Sequence, residues 1–294
     1  AAWVYDTSVP EWVQVWTGVV EIPLFAGTGP VNLRGVFDNS QFGGTQPGKI
    51  VFRLVDNAVL GSGTTAGAAV ELPDDWPWNP EIELRIGSGA RVVGAGGDGG
   101  DGGFATRTIA GDVVSIGGDG AAGGTGGPAI LVSYSSVAIN NSGMIAGGGG
   151  GGGGAGGVSN RTADSVLNGS GGGGGQGSDD PQGGSAGALT INESTTASRS
   201  ENGGDGSVAA SGVGGGPVAV TGVFFDESTE GGGGDGGGFG STGQPGGIGS
   251  ASSDVSSIID IGNPGPGGSP GPAIDGASNV TFINRGAILG PEVN

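Results

Sequence analysis

Residues 144–157 read MIAGGGGGGGGAGG, with glycine at every position from 147 to 154. Related runs lie at 94–103 (GAGGDGGDGG), 117–127, 171–177, 231–240 and 262–271. Such composition ordinarily marks a flexible linker, because glycine loses more backbone freedom on folding than any other residue. The spacing argues otherwise. Gly96, Gly99 and Gly102 share one phase of a three-residue beat, as do Gly117, Gly120, Gly123 and Gly126. A three-residue period with glycine belongs to left-handed extended helices, which make no internal hydrogen bonds and must bond to neighbouring chains. Only glycine lets backbones approach that closely, and the strict G-X-Y pattern of collagen is missing. The sequence therefore predicts a bundle of polyglycine II helices, made by one chain folding back on itself.

Twelve of the 76 glycines in the 294-residue chain precede Gly94, whereas all five tryptophans lie before it. The first part can build an ordinary apolar core; the second must be held mainly by backbone hydrogen bonds. Within residues 1–80, WVQVW at 12–16 alternates, residues 18–22 continue it, and 31–37 reads as a further strand. KIVFRLV at 49–55 alternates so that Ile50, Phe52 and Leu54 share a face. Residues 73–80 (PDDWPWNP) read as an extended connector. No 3.6-residue periodicity is sustained. The expected fold class is all-β plus a polyglycine II bundle, with almost no α-helix and short β-hairpins bracketing the Gly-rich helices. Two domains are expected: 1–80, β-rich, for attachment or oligomerisation, and 81–294, the Gly-rich domain.

An internal repeat supports the hairpins. GPAI occurs at 127–130 and again at 271–274; VAINNSGMI (137–145) follows the first and VTFINRGAI (280–288) the second. A weaker copy spans 82–93. Each reads as strand, Asn/Ser-Gly turn, strand.

Net charge is −19, and the nine basic residues are scattered singly, which speaks against a nucleic-acid partner. There is no Cys, so no disulfide framework. No apolar run approaches the roughly 18 residues of a membrane span. The chain begins at Ala1, without Met and without a signal-peptide pattern, as expected of the distal part of a longer polypeptide or of a matured chain.

The absence of His removes Ser-His-Asp and Cys-His chemistry and His-ligated metals. GGSAG at 183–187 fits G-x-S-x-G but has no base to activate its serine. Residues 43–49 fit the start of a P-loop, yet Ile50 stands where Ser or Thr is required. GGDGGD at 96–101 matches six positions of a calcium nonapeptide, with Gly103 where a large apolar residue belongs. A lone carboxylate-plus-carbonyl calcium site there is the weaker alternative to an ordinary turn. The acid pairs Asp74/Asp75, Asp179/Asp180 and Asp226/Glu227 read as solvated turn residues, and the Asn-X-Ser/Thr triplets as compositional. No enzyme, cofactor or metal is expected.

Five segments of ordinary composition separate the runs: 104–116, 158–170, 189–202, 218–230 and 250–261. Diverse loops on a fixed scaffold are the layout of a recognition surface. Their bulky and charged side chains are the candidate contacts: Phe104, Arg107, Arg161, Leu167, Arg199, Phe224, Phe225, Asp226, Ile258 and Ile259. Adjacent Phe224 and Phe225 point to opposite faces of a strand, so one is core while the other can be an anchor.

The stretches GGPAI (126–130) with VAINNSGMIAGGGGGGGG (137–154), and GPAI (271–274) with VTFINRGAILG (280–290), resemble the Gly-rich receptor-binding tips of tailed-bacteriophage tail fibres. These are T-even-like distal adhesins and the Gly-rich C-terminal ends of central tail-fibre proteins. The resemblance covers about residues 81–294. It implies a polyglycine II bundle between β layers and exposed loops that bind a bacterial outer-membrane protein or surface glycan. It also implies a place at the distal tip of the fibre on the virion, and other tail-fibre proteins as partners. Phage fibres are commonly trimeric, and both a homotrimer and a monomer are compatible with the sequence. Two other readings stand beside it: an ice-binding polyglycine II protein, and a Gly-rich bacterial surface or structural protein.

Overall fold

The computed structural model describes residues 2–6, 11–15, 18–110, 112–160, 165–178, 182, 189–191, 196–198, 201–207, 209–217, 219–221, 227–229, 231–251 and 259–294. Fifteen of its strands form three parallel sheets of five, one strand per sheet from each of five successive rungs. The first face holds Val19–Leu24, Lys49–Leu54, Glu81–Ile86, Val137–Asn141 and Val280–Asn284. The second holds Gly27–Thr28, Val59–Gly61, Arg91–Val93, Met144–Ala146 and Ala287–Leu289. The third holds Val31–Asn32, Val70–Leu72, Ile130–Val132, Ile274–Asp275 and Glu292–Val293. The result is a three-faced parallel solenoid.

Register explains its core. On the first face Val20, Ile50, Ile82, Val137 and Val280 lie opposite one another in turn, as do Ile22, Phe52, Leu84, Ile139 and Phe282. Leu60, Val92, Ile145 and Ile288 do the same on the second face, and Val70, Ile130 and Ile274 on the third. Period-2 alternation points each set inward, and most of these side chains are fully buried. Each contributes about 1.5–3 kcal/mol by leaving water. Ile50, Phe52 and Leu54 share the inward face as expected.

Two expectations change. The strand–turn–strand copies at 82–93, 137–145 and 280–288 are not hairpins. Their two strands belong to different faces and pair in parallel with the equivalent strands of neighbouring rungs. Antiparallel hairpins do bracket Gly runs, but in the variable segments. The stretch 31–37 is a strand only to Asn32; Leu33–Asp38 is a helix, started by Asn32, whose Oδ1 accepts from the Gly35 N–H at 3.0 Å. Its buried Leu33 and Phe37 pack into the core. Lys49–Leu54 pairs with Glu81–Ile86, so the first face runs on across residue 80.

The Gly-rich bundle is inserted between the second and third faces of the third and fourth rungs. Run 94–103 leaves Arg91–Val93 and run 117–127 returns to Ile130–Val132; run 147–157 leaves Met144–Ala146 and run 262–272 returns to Ile274–Asp275. At the centre lies run 147–157, buried throughout. Its N–H groups at 148, 151, 154 and 157 donate to 127, 124, 121 and 118; those at 149, 152 and 155 donate to 176, 173 and 170; those at 150 and 153 donate to 241 and 244. Its carbonyls at 149, 152 and 155 accept from 97, 100 and 103, those at 150 and 153 from 237 and 234, and those at 148, 151, 154 and 157 from 271, 268, 265 and 262.

Six runs therefore surround one, each addressed by every third residue, as three residues per turn requires. The ring closes through Ala121→Asp101, Gly120→Asn263, Gly243→Gly268, Gln244→Asp235, Gly173→Gly234 and Gly172→Gly100 hydrogen bonds. Runs 201–207 and 210–217 add an outer pair against 169–178. The central position has a reading in the sequence: run 147–154 has glycine in all three phases, so every side can take a neighbouring backbone, whereas run 94–103 carries Ala95, Asp98 and Asp101 in one phase.

Candidate functional site

The end of the bundle remote from the solenoid is where every variable segment emerges. Two of the emerging segments begin as Gly runs lose their glycine: Phe104 follows Gly103, and Val158 follows Gly157. The first segment forms an antiparallel hairpin, Ala105–Ala110 with Asp112–Gly117. The second forms Val158–Asn160 with Ser165–Leu167. The third supplies Leu189–Ile191 and Thr196–Ser198. The fourth is the hairpin Ala219–Thr221 with Glu227–Thr229, and the fifth supplies Ser250–Ala251 and Ile259–Ile261.

These strands are stitched to one another across the chain. Leu189–Ile191 pairs with residues 105–107, joining the third segment to the first. Thr196–Ser198 pairs with Ser165–Leu167, joining the third to the second. Ile259–Ile261 pairs with Val158–Asn160, joining the fifth to the second, and Ser250–Ala251 pairs with residues 228–229, joining the fifth to the fourth. The five segments thus supply three small sheets, of three, four and three strands, and the third and fifth segments, each giving strands to two of them, connect these into one layer.

The layer sits on a fixed base. Gly157 N–H donates to Gly118 O, Gly118 N–H to Phe104 O, Gly169 N–H to Gly103 O and Gly262 N–H to Gly157 O, at 2.7–2.9 Å. Side chains add to it. Asp119 Oδ1 accepts from the Asn263 N–H at 2.7 Å and from its Nδ2 at 3.2 Å, and the Ser170 hydroxyl donates to Gly216 O at 2.8 Å. Val158 and Ser159 are buried, while Phe104, Ile116 and Ile261 are exposed at 46%, 40% and 36%. Apolar side chains left in water on a hydrogen-bonded platform suit contact with another macromolecule.

Of the candidate contacts, Phe104 stands exposed at the foot of the first hairpin. Arg107, Leu167 and Ile259 lie in paired strands of the layer. Arg161, Arg199, Phe224, Phe225, Asp226 and Ile258 lie outside the described residues. The structure brings together the segments that carry all ten. Exposed Ile116 and Ile261 were not among the sequence candidates, though both lie in the variable segments. The alternating pattern of 105–117 is the signal that carries Ile116. Among the described residues no group of three or more His, Cys, Asp or Glu is placed to hold a metal ion.

A family model described as phage tail fibre adhesin Gp38 matches residues 21–293. Among solved structures, the gp37-gp38 adhesin tip complex of the bacteriophage S16 long tail fibre is similar in fold, with 24% sequence identity and a TM-score of 0.50. The match covers 97% of this chain and 84% of that one. No curated protein matches the chain.

Proposed function

Because the chain belongs to the phage tail fibre adhesin Gp38 family, we propose that it recognises its host receptor with the connected layer of five variable segments at the end of the Gly-rich bundle. The protein is a tail-fibre adhesin of the virion. One observation carries the proposal: strands from five segments far apart in sequence pair with one another in three adjoining sheets at the end of the bundle away from the solenoid. The three-residue hydrogen-bond repeat supports the polyglycine II reading of the scaffold beneath them.

The mechanism is preorganisation. A backbone fixed by hydrogen bonds on all sides holds the loop bases, so little conformational entropy is lost when the tips bind. Tightness comes from a few aromatic and Arg anchors among the ten candidates, and several copies on one tail add avidity. The reading is non-enzymatic, in keeping with a chain that has neither His nor Cys. The solenoid end, including residues 1–80, is the part that attaches to another tail-fibre protein. In support, the similar adhesin tip is a complex of two fibre proteins, and the first rung leaves Val19 and Phe25 exposed at 65% and 67%. The partner at the other end is a bacterial outer-membrane protein or surface glycan. Family membership gives no support to the ice-binding or bacterial-surface readings.

The test is adsorption competition. Purified protein should bind host cells saturably and block phage adsorption, and replacing residues 218–230 by a Gly/Ser stretch should abolish both while leaving the melting temperature in place. Undiminished binding after replacement of each of the five segments in turn would overturn the assignment to the layer.

A further inference from the structure

The outer side of the solenoid's first face carries a groove of about 260 Å³, lined by Arg53, Asp56, Arg85, Ser88, Asn140 and Ser142. It is separate from the variable layer. Arg53 and Arg85 lie directly opposite each other on adjacent rungs, and Asn140 continues the row on the next rung. Strands in a sheet are about 4.8 Å apart, and like charges directly opposite are destabilising. One carboxylate, Glu21, serves both guanidinium groups, at 3.6 Å from Arg53 and 3.4 Å from Arg85. Both separations exceed the 2.7–2.9 Å of a good charge-assisted hydrogen bond.

Donor capacity is therefore left over. An arginine carries five N–H donors. Arg85 directs Nε and Nη2 to Glu83, at 2.5 and 3.4 Å, and Nη1 to Glu21, whereas among the described residues Arg53 makes only the long contact with Glu21 and is half exposed. On the groove's other side, Asp56 Oδ1 accepts from the Ser88 N–H at 3.1 Å, which leaves its second oxygen to accept from a ligand.

We propose that this groove binds a saccharide bearing an anionic substituent, a carboxylate or a phosphate. The anion bridges Arg53 and Arg85 and relieves their mutual repulsion, with Asn140 donating to it. Asp56 accepts from the sugar hydroxyls. A planar guanidinium suits either kind of oxyanion. The side of the adhesin would then hold acidic surface glycan while the loops read their own receptor.

The experiment is calorimetric titration of the whole chain, at low salt, with glucose 6-phosphate, glucuronate, glucose and inorganic phosphate. The expected result is millimolar binding of at least one acidic sugar, with glucose about tenfold weaker or more, the loss expected when a hydrogen bond to a charged group is removed. Which acidic sugar binds tells phosphate from carboxylate. Arg53→Gln should weaken it about tenfold or more with the melting temperature unchanged, because Arg53 has no partner in the core. Asn140→Ala, a second variant that removes no described contact, should weaken it less. Equal binding of glucose, equal binding of inorganic phosphate, no binding of either acidic sugar, or full binding by Arg53→Gln would each overturn the proposal. The variant with residues 218–230 replaced by a Gly/Ser stretch should retain this binding, which separates the two sites.

Discussion

A Cβ built on Gly151 would lie 1.8 Å from the carbonyl oxygen of Asp98. The same carbonyl accepts from Gly124 at 2.6 Å, and Gly151 itself donates to Gly124 O at 2.9 Å, so neither backbone is free to retreat. Close approach, rather than a left-handed torsion angle, is what requires glycine here. Gly151→Ala should cost about 3 kcal/mol or more, at the upper end of overpacking penalties. Thermal melting should fall by about 5–10 °C. Gly63→Ala, where nothing lies within 4 Å, should stay within about 0.5 kcal/mol of the parent.

Amides of the central run should be the slowest to exchange in the Gly-rich part of the chain. Each N–H from 148 to 155 has a carbonyl partner on another run, and each residue is buried. Exchange there requires opening the bundle as a unit. Hydrogen-exchange mass spectrometry should show peptides from 147–157 protected well beyond those from 241–249; rapid exchange of both would contradict a closed hexagonal ring.

Asn141 continues the inward row Leu24, Leu54, Ile86 with an amide in place of an aliphatic side chain. It is fully buried and satisfied: Nδ2 donates to Arg285 O at 2.8 Å and Ala287 O at 3.1 Å, and Oδ1 accepts from the Gly143 N–H at 2.9 Å. Its amide ties the turn of the fourth rung to that of the fifth. Asn141→Ala strands these backbone groups at a cost of about 2–4 kcal/mol. Asn141→Leu, though apolar like its row, should be no better. Chemical denaturation would detect both, and a stabilised Leu variant would count against the bridging role.

Glu83 is buried on the outer side of the first face, paired with Arg85 and with Lys49 at 2.8 Å. The Arg85 hydrogen bond, outweighing burial, holds its carboxyl below the ordinary glutamate range. A lowered folded-state pKa gives stability that is complete above the unfolded value and is lost as pH falls through the folded one. The melting-temperature gap between the parent and Glu83→Gln should thus be constant from pH 7 to about 5 and shrink on acidification below the unfolded carboxylate value, near 4.3. A gap that widened in acid would reverse the sign.

Phe104 sets the foot of the variable layer, its ring lying against Gly118, where an added Cβ would come within 2.3 Å of Cδ1. Phe104→Ser should lower the affinity for host cells about tenfold, the effect of an ordinary aromatic anchor. Competition for phage adsorption measures it, with circular dichroism as the control for folding.

The sequence by itself determined the local chemistry. Its three-residue beat gave the bundle, the alternation of Ile50, Phe52 and Leu54 gave an inward-facing strand, and the breaks between Gly runs gave the five variable segments. The missing His and Cys bounded the function. Partners were decided only by the tertiary structure. A period-2 pattern orients side chains but does not choose the neighbouring strand, so VAINNSGMI read as a hairpin although its two strands lie on different faces of the solenoid. Ile130 pairs with Ile274 and Leu189 with Ala105, and such long-range register depends on how the whole chain closes. The groove of Arg53 and Arg85 follows from the same register: two arginines 32 residues apart become neighbours because Lys49–Leu54 and Glu81–Ile86 stack in phase.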